Sequence, residues 1–310
     1  MLKIQYIYKV KSGLTRVYWV LQGSLLLLLS ACETSVDLNP NFLPKLTIVS
    51  QIAPNGWDEG QRVYVYSSQS PSDSSQFNIP DDLKVFVTEI ETETTIQLKT
   101  DVDNGKVFFK IPHGFLEAGS GYRIEAQAPG FESVHSTTII PRPSSISDLS
   151  VKTIIIEQSE LNLSKKNLRY TLQFMIDHYE TNQYYHLVFY NEYFGETGAF
   201  IIDPELSDNQ TFIHHYDYGV LVDRDDLEEG QPLAFNFVDW VVEGSGLRRV
   251  SVELRTVTEE YYKYHSTLAR QLIVRQDPFA EPVSIFNNIE GGYGNFSGFT
   301  QDVTSSDLPQ

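Results

Sequence analysis

The sequence has little cysteine and little positive charge for its length. One of its 310 residues, Cys32, is a cysteine, and 23 Lys and Arg face 41 Asp and Glu, which gives a formal net charge of −18. A single cysteine excludes an internal disulfide bond and a metal site built from several thiolates. The charge argues against a nucleic-acid partner, because phosphates must be met by clustered cations. The hydrophobic content of 41% excludes a disordered chain and suits one large or two ordinary domains.

The first 31 residues have the pattern of an export signal. Four basic residues precede an apolar stretch at 17–29, which is shorter than the ~20 residues of a spanning helix. Leu29-Ser30-Ala31-Cys32 follows and is typical of a bacterial lipobox, in which the cysteine thiol is acylated and becomes the new N-terminus. The sequence therefore predicts a signal peptide at 1–31 and lipidation of Cys32. Cleavage removes four cations and no acid, so the net charge falls to −22.

The segment after the lipobox predicts a tether followed by a β domain. Residues 32–44 contain prolines and asparagines with little periodicity, which is typical of a linker. Short runs rich in Val, Ile, Thr, Tyr and Phe then recur between 45 and 141, and Asn104-Gly105 between two such runs predicts a hairpin. About seven strands in this length indicate an antiparallel β-sandwich. Residues 121–131 are also similar to the closing strands of transthyretin-like or carboxypeptidase-regulatory sandwiches.

A second β domain is predicted at 147–303. Two prolines and two serines at 141–145 mark the boundary, and strand-like runs resume after it. One helix is expected near 258–276, with Thr256 and Glu259 at capping-box spacing. Its mostly apolar stripe consists of Tyr261, His265, Leu268 and Leu272. The predicted fold is therefore mainly β: an N-terminal sandwich of transthyretin or immunoglobulin type, and a second β domain with one covering α-helix.

Histidines and acids give the strongest hints of chemistry. His214 and His215 with Asp217 form the closest approach to a metal cluster, but adjacent residues on a strand point to opposite faces. His178 and Glu180 lie in a predicted turn and could reach His186 by folding back. The sequence contains no Gly-x-Ser-x-Gly, His-Glu-x-x-His or phosphate-loop motif. We therefore expect no catalytic residue, no metal and no cofactor.

Three other segments favour structural roles over binding. Residues 223–229 alternate acids as a calcium loop does, but they lack its sixth-position glycine and twelfth-position glutamate. Asp101 and Asp103 suit the hairpin turn. The glycine-rich segment 288–296 has no following helix to bind a phosphate and predicts turns and bulges.

Aromatic residues in predicted loops are the best candidates for a contact surface. Trp57 lies between Gly56 and Gly60, and Tyr193 and Phe194 come just before a glycine. Loop aromatics can anchor a protein partner or stack on a sugar. We predict these three side chains as a contact surface.

The C-terminal residues have the most specific family pattern. Tyr261-Tyr262-Lys263-Tyr264 is followed by Asp277-Pro278-Phe279 and by a glycine-rich stretch at 287–296. With the lipobox and the first β domain, this ending resembles the DUF4249 family of Bacteroidota lipoproteins over essentially the whole mature chain. The resemblance implies an envelope protein whose relatives are often encoded near TonB-dependent outer-membrane receptors. It implies no site residues, because the family has no established activity.

From these features we expect a lipoprotein of the outer membrane that acts as a binding or accessory component of TonB-dependent nutrient uptake. Its expected partners are the membrane, reached through the lipid anchor, and a TonB-dependent receptor. The sequence does not indicate which face of the outer membrane it occupies. Two alternatives stay open, a metal-dependent envelope hydrolase using His214, His215 and Asp223 or its neighbours, and a structural envelope component.

Overall fold

The structure is a computed structural model. It describes residues 42–54, 61–70, 78–158, 165–177, 183–206, 212–228, 230–242, 246–275 and 279–308. From residue 43 onward these residues, apart from Ser70, belong to one compact unit. The signal peptide, Cys32 and Trp57 lie outside the described residues, as do His178 and Glu180.

The described chain is mainly β-strand, as predicted. Its first half contributes Leu46–Ile52 (β1), Arg62–Ser67 (β2), Lys84–Glu89 (β3), Thr95–Gln97 (β4), Lys99–Asp103 (β5), Lys106–Lys110 (β6), Gly121–Gln127 (β7) and Val134–Ile139 (β8). Its second half contributes Ser145–Gln158 (β9), Lys165–Asp177 (β10), Tyr184–Tyr193 (β11), Phe200–Ile202 (β12), Ile213–His214 (β13), Val220–Asp223 (β14), Leu233–Val242 (β15), Leu247–Val257 (β16) and Tyr293–Asp307 (β17). One long helix, Glu259–Val274 (α1), precedes β17.

The strands form three sheets. A 10-stranded sheet has the order β13-β14-β11-β16-β17-β1-β2-β6-β5, with β12 beside β11. A 4-stranded sheet has the order β4-β3-β7-β8, and a 3-stranded sheet has the order β15-β10-β9. Alternating burial along β1 and β7 shows that each strand turns one face to a core.

The last strand connects the two predicted domains. β17 pairs in parallel with β1, with Ile48 opposite Gly294, and antiparallel with β16, with Leu254 opposite Asp302. The turn predicted within 288–296 is present at 291–292, whereas residues 293–296 are corrected to strand, since β17 begins at Tyr293. The predicted boundary at 141–147 coincides with the passage from β8 to β9, yet one continuous sheet extends across both sides of it.

Two main apolar cores form, the first mostly from residues before that boundary and the second from residues after it. The first combines residues of β1, β2 and β6 with residues of β3, β7 and β8, which is the packing of a β-sandwich. Ile289 and Phe296 belong to this core, so the C-terminal segment completes the N-terminal sandwich. The second core combines residues of β10 and β15 with residues of β11, β14 and β16.

Helix α1 begins close to its predicted start but with a different cap. The side chain of Thr258, not Thr256, accepts the backbone hydrogen bond of Tyr261. Thr256 instead accepts from the backbone N–H of Ser144, at 2.9 Å, in the segment between β8 and β9. The buried face of α1 includes Tyr261 and His265 of the predicted stripe, whereas Leu272 is 38% exposed.

The predicted hairpin is present between β5 and β6. Asn104 and Gly105 have φ of 48° and 78°, the left-handed conformations that a two-residue hairpin turn requires. Asp103, at the end of β5, pairs with Arg62 at 2.8 Å. Within the described residues, no helix is both long enough and apolar enough to cross a bilayer.

Candidate functional site

Three histidines and a tyrosine meet beneath helix α1. His186 comes from β11, His215 from the residue after β13, and Tyr261 and His265 from successive turns of α1. We call these four residues the histidine cluster. Strand alternation directs Tyr185 and Leu187 into the second core, so His186 faces the opposite side of the sheet, which α1 covers. Both faces of β11 are therefore buried.

Hydrogen bonds fix the proton position on His186. The backbone carbonyl of Tyr218 lies 2.9 Å from Nε2, and a carbonyl can only accept, so Nε2 carries the proton. Nδ1 then accepts from the hydroxyl of Tyr261 at 2.9 Å. Burial raises the pKa of Tyr261 to about 12, so this phenol remains protonated and able to donate. The ring of His186 is neutral and has both nitrogens satisfied.

A chain of hydrogen bonds runs from the backbone of Asp217 through His215 and His265 to Gln51 of strand β1. The backbone N–H of Asp217 donates to Nδ1 of His215 at 3.2 Å, so Nε2 of His215 carries the proton and donates to Nδ1 of His265 at 2.8 Å. The amide nitrogen of Gln51 lies 2.9 Å from Nε2 of His265. Because Nε2 of His265 carries the proton, the Gln51 amide accepts it in the flipped orientation, which places its oxygen toward the ring. Strand β1, the 213–219 segment and α1 are thus joined through two neutral imidazoles.

Ring stacking closes the cluster against water. The centroid of His215 lies 4.5 Å from that of His186 and 4.6 Å from that of His265. Tyr216 stacks over His215, with centroids 4.3 Å apart, and forms the exposed edge of the group. His186 and His265 have exposed fractions of 0% and 1%.

The surroundings of the cluster disfavour protonated imidazole. Burial and the nearby Arg255 guanidinium lower the pKa of His215 to about 4. Burial, followed by the charges of His215 and Arg255, holds the pKa of both His186 and His265 well below the ordinary value. Arg255 itself is paired with the buried Glu253 at 2.6 Å. Near neutral pH the cluster is therefore an uncharged polar joint between α1 and the sheet.

The structure does not assemble the three residues of the hydrolase alternative. His215 faces the cluster, whereas His214 is exposed on the opposite side of the segment. Asp223 caps a short 3-10 helix, Arg224–Asp226, by accepting from the backbone N–H of Asp225 at 3.0 Å. Among the described residues, no group of three or more His, Cys, Asp and Glu side chains is arranged to hold a metal ion.

The predicted aromatic contact surface requires one correction. Tyr193 is the last residue of β11 and is only 6% exposed, because its ring packs in the second core. Its hydroxyl donates to Asp239 and accepts from the amide of Asn191, which in turn accepts from Tyr170 at 2.6 Å. The placement of Tyr193 in an exposed loop was therefore wrong. Phe194 is half-buried, and its role as a contact residue stays a prediction.

Sequence reasoning missed two contacts of His265, one with His215 and one with Gln51. His265 was assigned to the buried stripe of α1, but nothing in the spacing paired it with His215. Gln51 lies 214 positions from His265 in the chain, so only the parallel pairing of β1 with β17 brings it near α1. A polar residue on the buried face of a helix was the available signal, since such a residue needs a hydrogen-bond partner.

A family model described as a domain of unknown function, DUF4249, matches residues 33–305. The chain belongs to the DUF4249 family. No curated protein matches the chain significantly. The match ends within β17, so this DUF4249 chain contains the full β1–β17 pairing and the whole histidine cluster inside the family region. The joint beneath α1 therefore lies within the matched region.

Proposed function

We propose that this chain is an outer-membrane lipoprotein, anchored through acylated Cys32, that serves as a binding or accessory component of TonB-dependent nutrient uptake. The observation that carries the proposal is the position of the lipobox. Leu29-Ser30-Ala31-Cys32 contains the sole cysteine of the chain, and the family match begins at the next residue, 33. A match that begins directly after Cys32 supports a mature protein whose first residue is Cys32.

The acidity of the chain supports lipid anchoring over adhesion by charge. Removal of residues 1–31 leaves a net charge of −22, which repels anionic head groups. Attachment then depends on acyl chains, and a single chain gives only marginal membrane binding. A diacylglyceryl group on Cys32 supplies more than one chain. The membrane partner is therefore reached through this one residue.

The histidine cluster supports a binding role over a catalytic one. Its ring nitrogens are occupied by hydrogen bonds within the protein, and its two deepest imidazoles are sealed from solvent beneath α1. A general base must instead present a free nitrogen to substrate. The cluster fastens a helix to a sheet, which suits a rigid recognition module.

Replacing Cys32 with serine is expected to abolish lipidation. The hydroxyl of serine is not a substrate for thiol acylation, so incorporation of a palmitate analogue should fall to background, and the protein should leave the outer-membrane fraction. The measurement is metabolic labelling with an alkyne-tagged palmitate, followed by membrane fractionation. Ser30→Ala serves as the matched control, since it keeps a small residue before the cysteine and should label normally. Equal labelling of the wild type and the Cys32→Ser variant would overturn the anchor assignment.

Association with a receptor is tested separately. The tagged wild-type protein, solubilised with its outer membrane in detergent, should recover a TonB-dependent receptor on affinity purification. Absence of any receptor, together with unchanged growth of a deletion strain on all nutrients tried, would refute the uptake role. A change in membrane integrity without a change in uptake would favour the structural alternative.

A further inference from the structure

Strand β9, Ser145–Gln158, forms an open edge of the 3-stranded sheet. Strand β10 pairs with one side of it, from Ser145 opposite Asp177 to Gln158 opposite Lys166. Among the described residues, no strand pairs with its other side. The backbone N–H and C=O groups along that side can therefore bind the edge of another strand.

The second half of β9 lacks the features that usually protect an open edge. Its pairing with β10 shifts register at Ser147–Ser150 and at Val151–Thr153, and Asp148 has a left-handed φ of 55°. Such bulges bend an edge away from a partner, but neither extends past Thr153. Residues 153–158 keep a regular register and read Thr-Ile-Ile-Ile-Glu-Gln, without proline, glycine or lysine. We call these six residues the β9 edge.

The β9 edge exposes apolar side chains on both faces of its sheet. Ile154 lies opposite Tyr170, which is buried in the second core, so it shares the core-facing side, yet it is 46% exposed. At this level of the sheet the second core thus covers Tyr170 but not Ile154. Ile155 lies opposite Arg169 on the outer side and is 43% exposed. A strand added at this edge would cover both isoleucines.

Geometry restricts how a second β9 edge can pair with the first. Two antiparallel copies are related by a twofold axis perpendicular to the sheet, so a given residue points to the same face in both copies. Directly opposed residues must also share a face, so the residue at the axis lies opposite itself. A pairing centred on Ile155 satisfies this condition. It places Ile154 opposite Ile156 and Thr153 opposite Glu157.

The charges near the β9 edge permit an acidic protein to pair with itself. Residues 152–158 and their β10 partners at 166–171 contain the cations Lys152, Lys166 and Arg169 and one acid, Glu157. This corner is therefore opposite in sign to the chain as a whole, whose formal charge is −18. In the pairing centred on Ile155, no two like charges are directly opposed. Charges further away are screened over about 8 Å at physiological ionic strength.

The open edge of the 10-stranded sheet differs in this respect. Strand β5 has Lys99, Asp101 and Asp103 among its five residues, and charged side chains are a common protection of an edge. A pairing of β5 with itself centred on Asp101 would oppose two carboxylates directly. Self-association is therefore favoured at the β9 edge over β5.

We propose that two copies of this chain pair antiparallel through the β9 edge, with the twofold axis at Ile155. The two 3-stranded sheets become one continuous sheet, and the exposed side chains of Ile154 and Ile155 in both copies are covered at the junction. Because each copy has one β9 edge, the assembly closes as a dimer and does not extend further. This partner is additional to the proposed function and does not depend on the anchor at Cys32.

A cysteine at the centre of the pairing tests the register directly. The background is the full chain with Cys32→Ser, which removes the native thiol. Ile155→Cys then places two thiols on directly opposed residues, whose Cα atoms are about 4.5 to 5.5 Å apart. That separation suits a disulfide bond. With the protein purified in detergent and treated with a mild oxidant, we expect most of it to migrate as a covalent dimer on a non-reducing gel.

Ile154→Cys in the same background is the matched control. Its two copies lie two residues apart along the strands and on adjacent strands, which separates their Cα atoms by about 8 Å. That is too far for a disulfide bond without movement of the backbone, so this variant should migrate as a monomer. Absence of cross-linking in Ile155→Cys, or equal cross-linking in both variants, would overturn the proposal.

Self-association without a covalent bond is measured by sedimentation in the same Cys32→Ser background. The parent chain should pass from monomer to dimer as its concentration is raised through the micromolar range. Ile155→Lys opposes two like charges at the axis and should weaken the dimer about tenfold. Val102→Lys adds the same charge at a 60% exposed position of β5 and should leave the dimer unchanged.

The outcomes of the sedimentation experiment are distinct. Both lysine variants replace exposed side chains, so their thermal midpoints should stay close to that of the parent chain. A parent chain that stays monomeric, assemblies larger than a dimer, or equal weakening by the two variants would each refute the pairing. Because neither experiment uses Cys32, their results are independent of lipidation and of receptor recovery.

Discussion

Replacing Gly294 with alanine is expected to destabilise the protein by about 4 kcal/mol or more, among the largest effects of a single substitution. Gly294 has φ of +115° and lies opposite Ile48 in the parallel pairing of β17 with β1. A Cβ atom at this position would overlap the backbone carbonyl oxygen of Ile48, which cannot move aside without breaking the ladder. The measurement is the free energy of unfolding from urea denaturation.

A second glycine isolates the cause. Gly114 also has positive φ, +77°, but a Cβ atom there would meet nothing within 4 Å. Gly114→Ala should therefore cost only the backbone penalty, about 1 kcal/mol. If the two variants lose equal stability, positive φ alone explains both losses, and the close approach of β1 to β17 contributes nothing. Gly294 also lies in the motif on which the family resemblance rested, so the close approach gives a physical reason for a glycine there.

Acidification is expected to destabilise the fold between pH 6.5 and about 4. The pKa of His215 is about 4 in the folded protein and 6.5 as its ordinary value, so in this window the unfolded chain binds a proton that the folded chain does not. The free energy of unfolding therefore rises with pH between about 4 and 6.5. The contribution of His215 is fully present above pH 6.5 and is lost as the pH falls toward 4. His215 alone accounts for about 3 kcal/mol, and His186 and His265 add to the loss in the same direction.

The groups around the cluster reinforce this direction. Arg255 repels an added proton, and the donors already directed at His186 and His215, the Tyr261 hydroxyl and the Asp217 backbone N–H, occupy the sites where it would bind. The nearby carboxylate of Glu253 is paired with Arg255 and accepts from the hydroxyl of Tyr190 at 2.7 Å, so it is already engaged.

Thermal unfolding measured from pH 7.5 to 4 checks this prediction in two variants. His215→Gln should lower stability at pH 7.5 but flatten the pH dependence, since one titrating ring is gone. His214→Gln, at the adjacent exposed position, should keep the wild-type slope. A wild-type slope in His215→Gln would show that the titration of the histidine cluster does not control acid stability.

Local patterns were sufficient for much of the secondary structure. Alternation alone placed strand 46–52, and periodicity with a proline stop predicted a helix at 258–276, close to the observed Glu259–Val274. The Asn104-Gly105 turn required only the φ preference of its residues. Each of these features depends on interactions within a few residues, which is why sequence reasoning reached them.

Long-range features were not accessible in the same way. Strand β17 begins in a glycine-rich segment that has the composition of a turn, and only its pairing with β1 makes it a strand. The burial of Tyr193 depends on Asn191 and Asp239, and the second of these comes from a strand nearly fifty residues away. The relay from His215 through His265 to Gln51 joins three separate elements. None of these has a local signature.

The pairing of β1 with β17, two strands far apart in the sequence, limits when the protein can fold. Strand β1 is the first strand of the described residues, yet one of its two neighbours, β17, is the last of them. During synthesis, which begins at the N-terminus, β1 cannot pair with β17 until residues near 300 have been added. Phe296 of the first core is also missing until then. Contacts so distant in sequence form slowly. The polypeptide therefore stays incompletely folded until almost all of its residues are available.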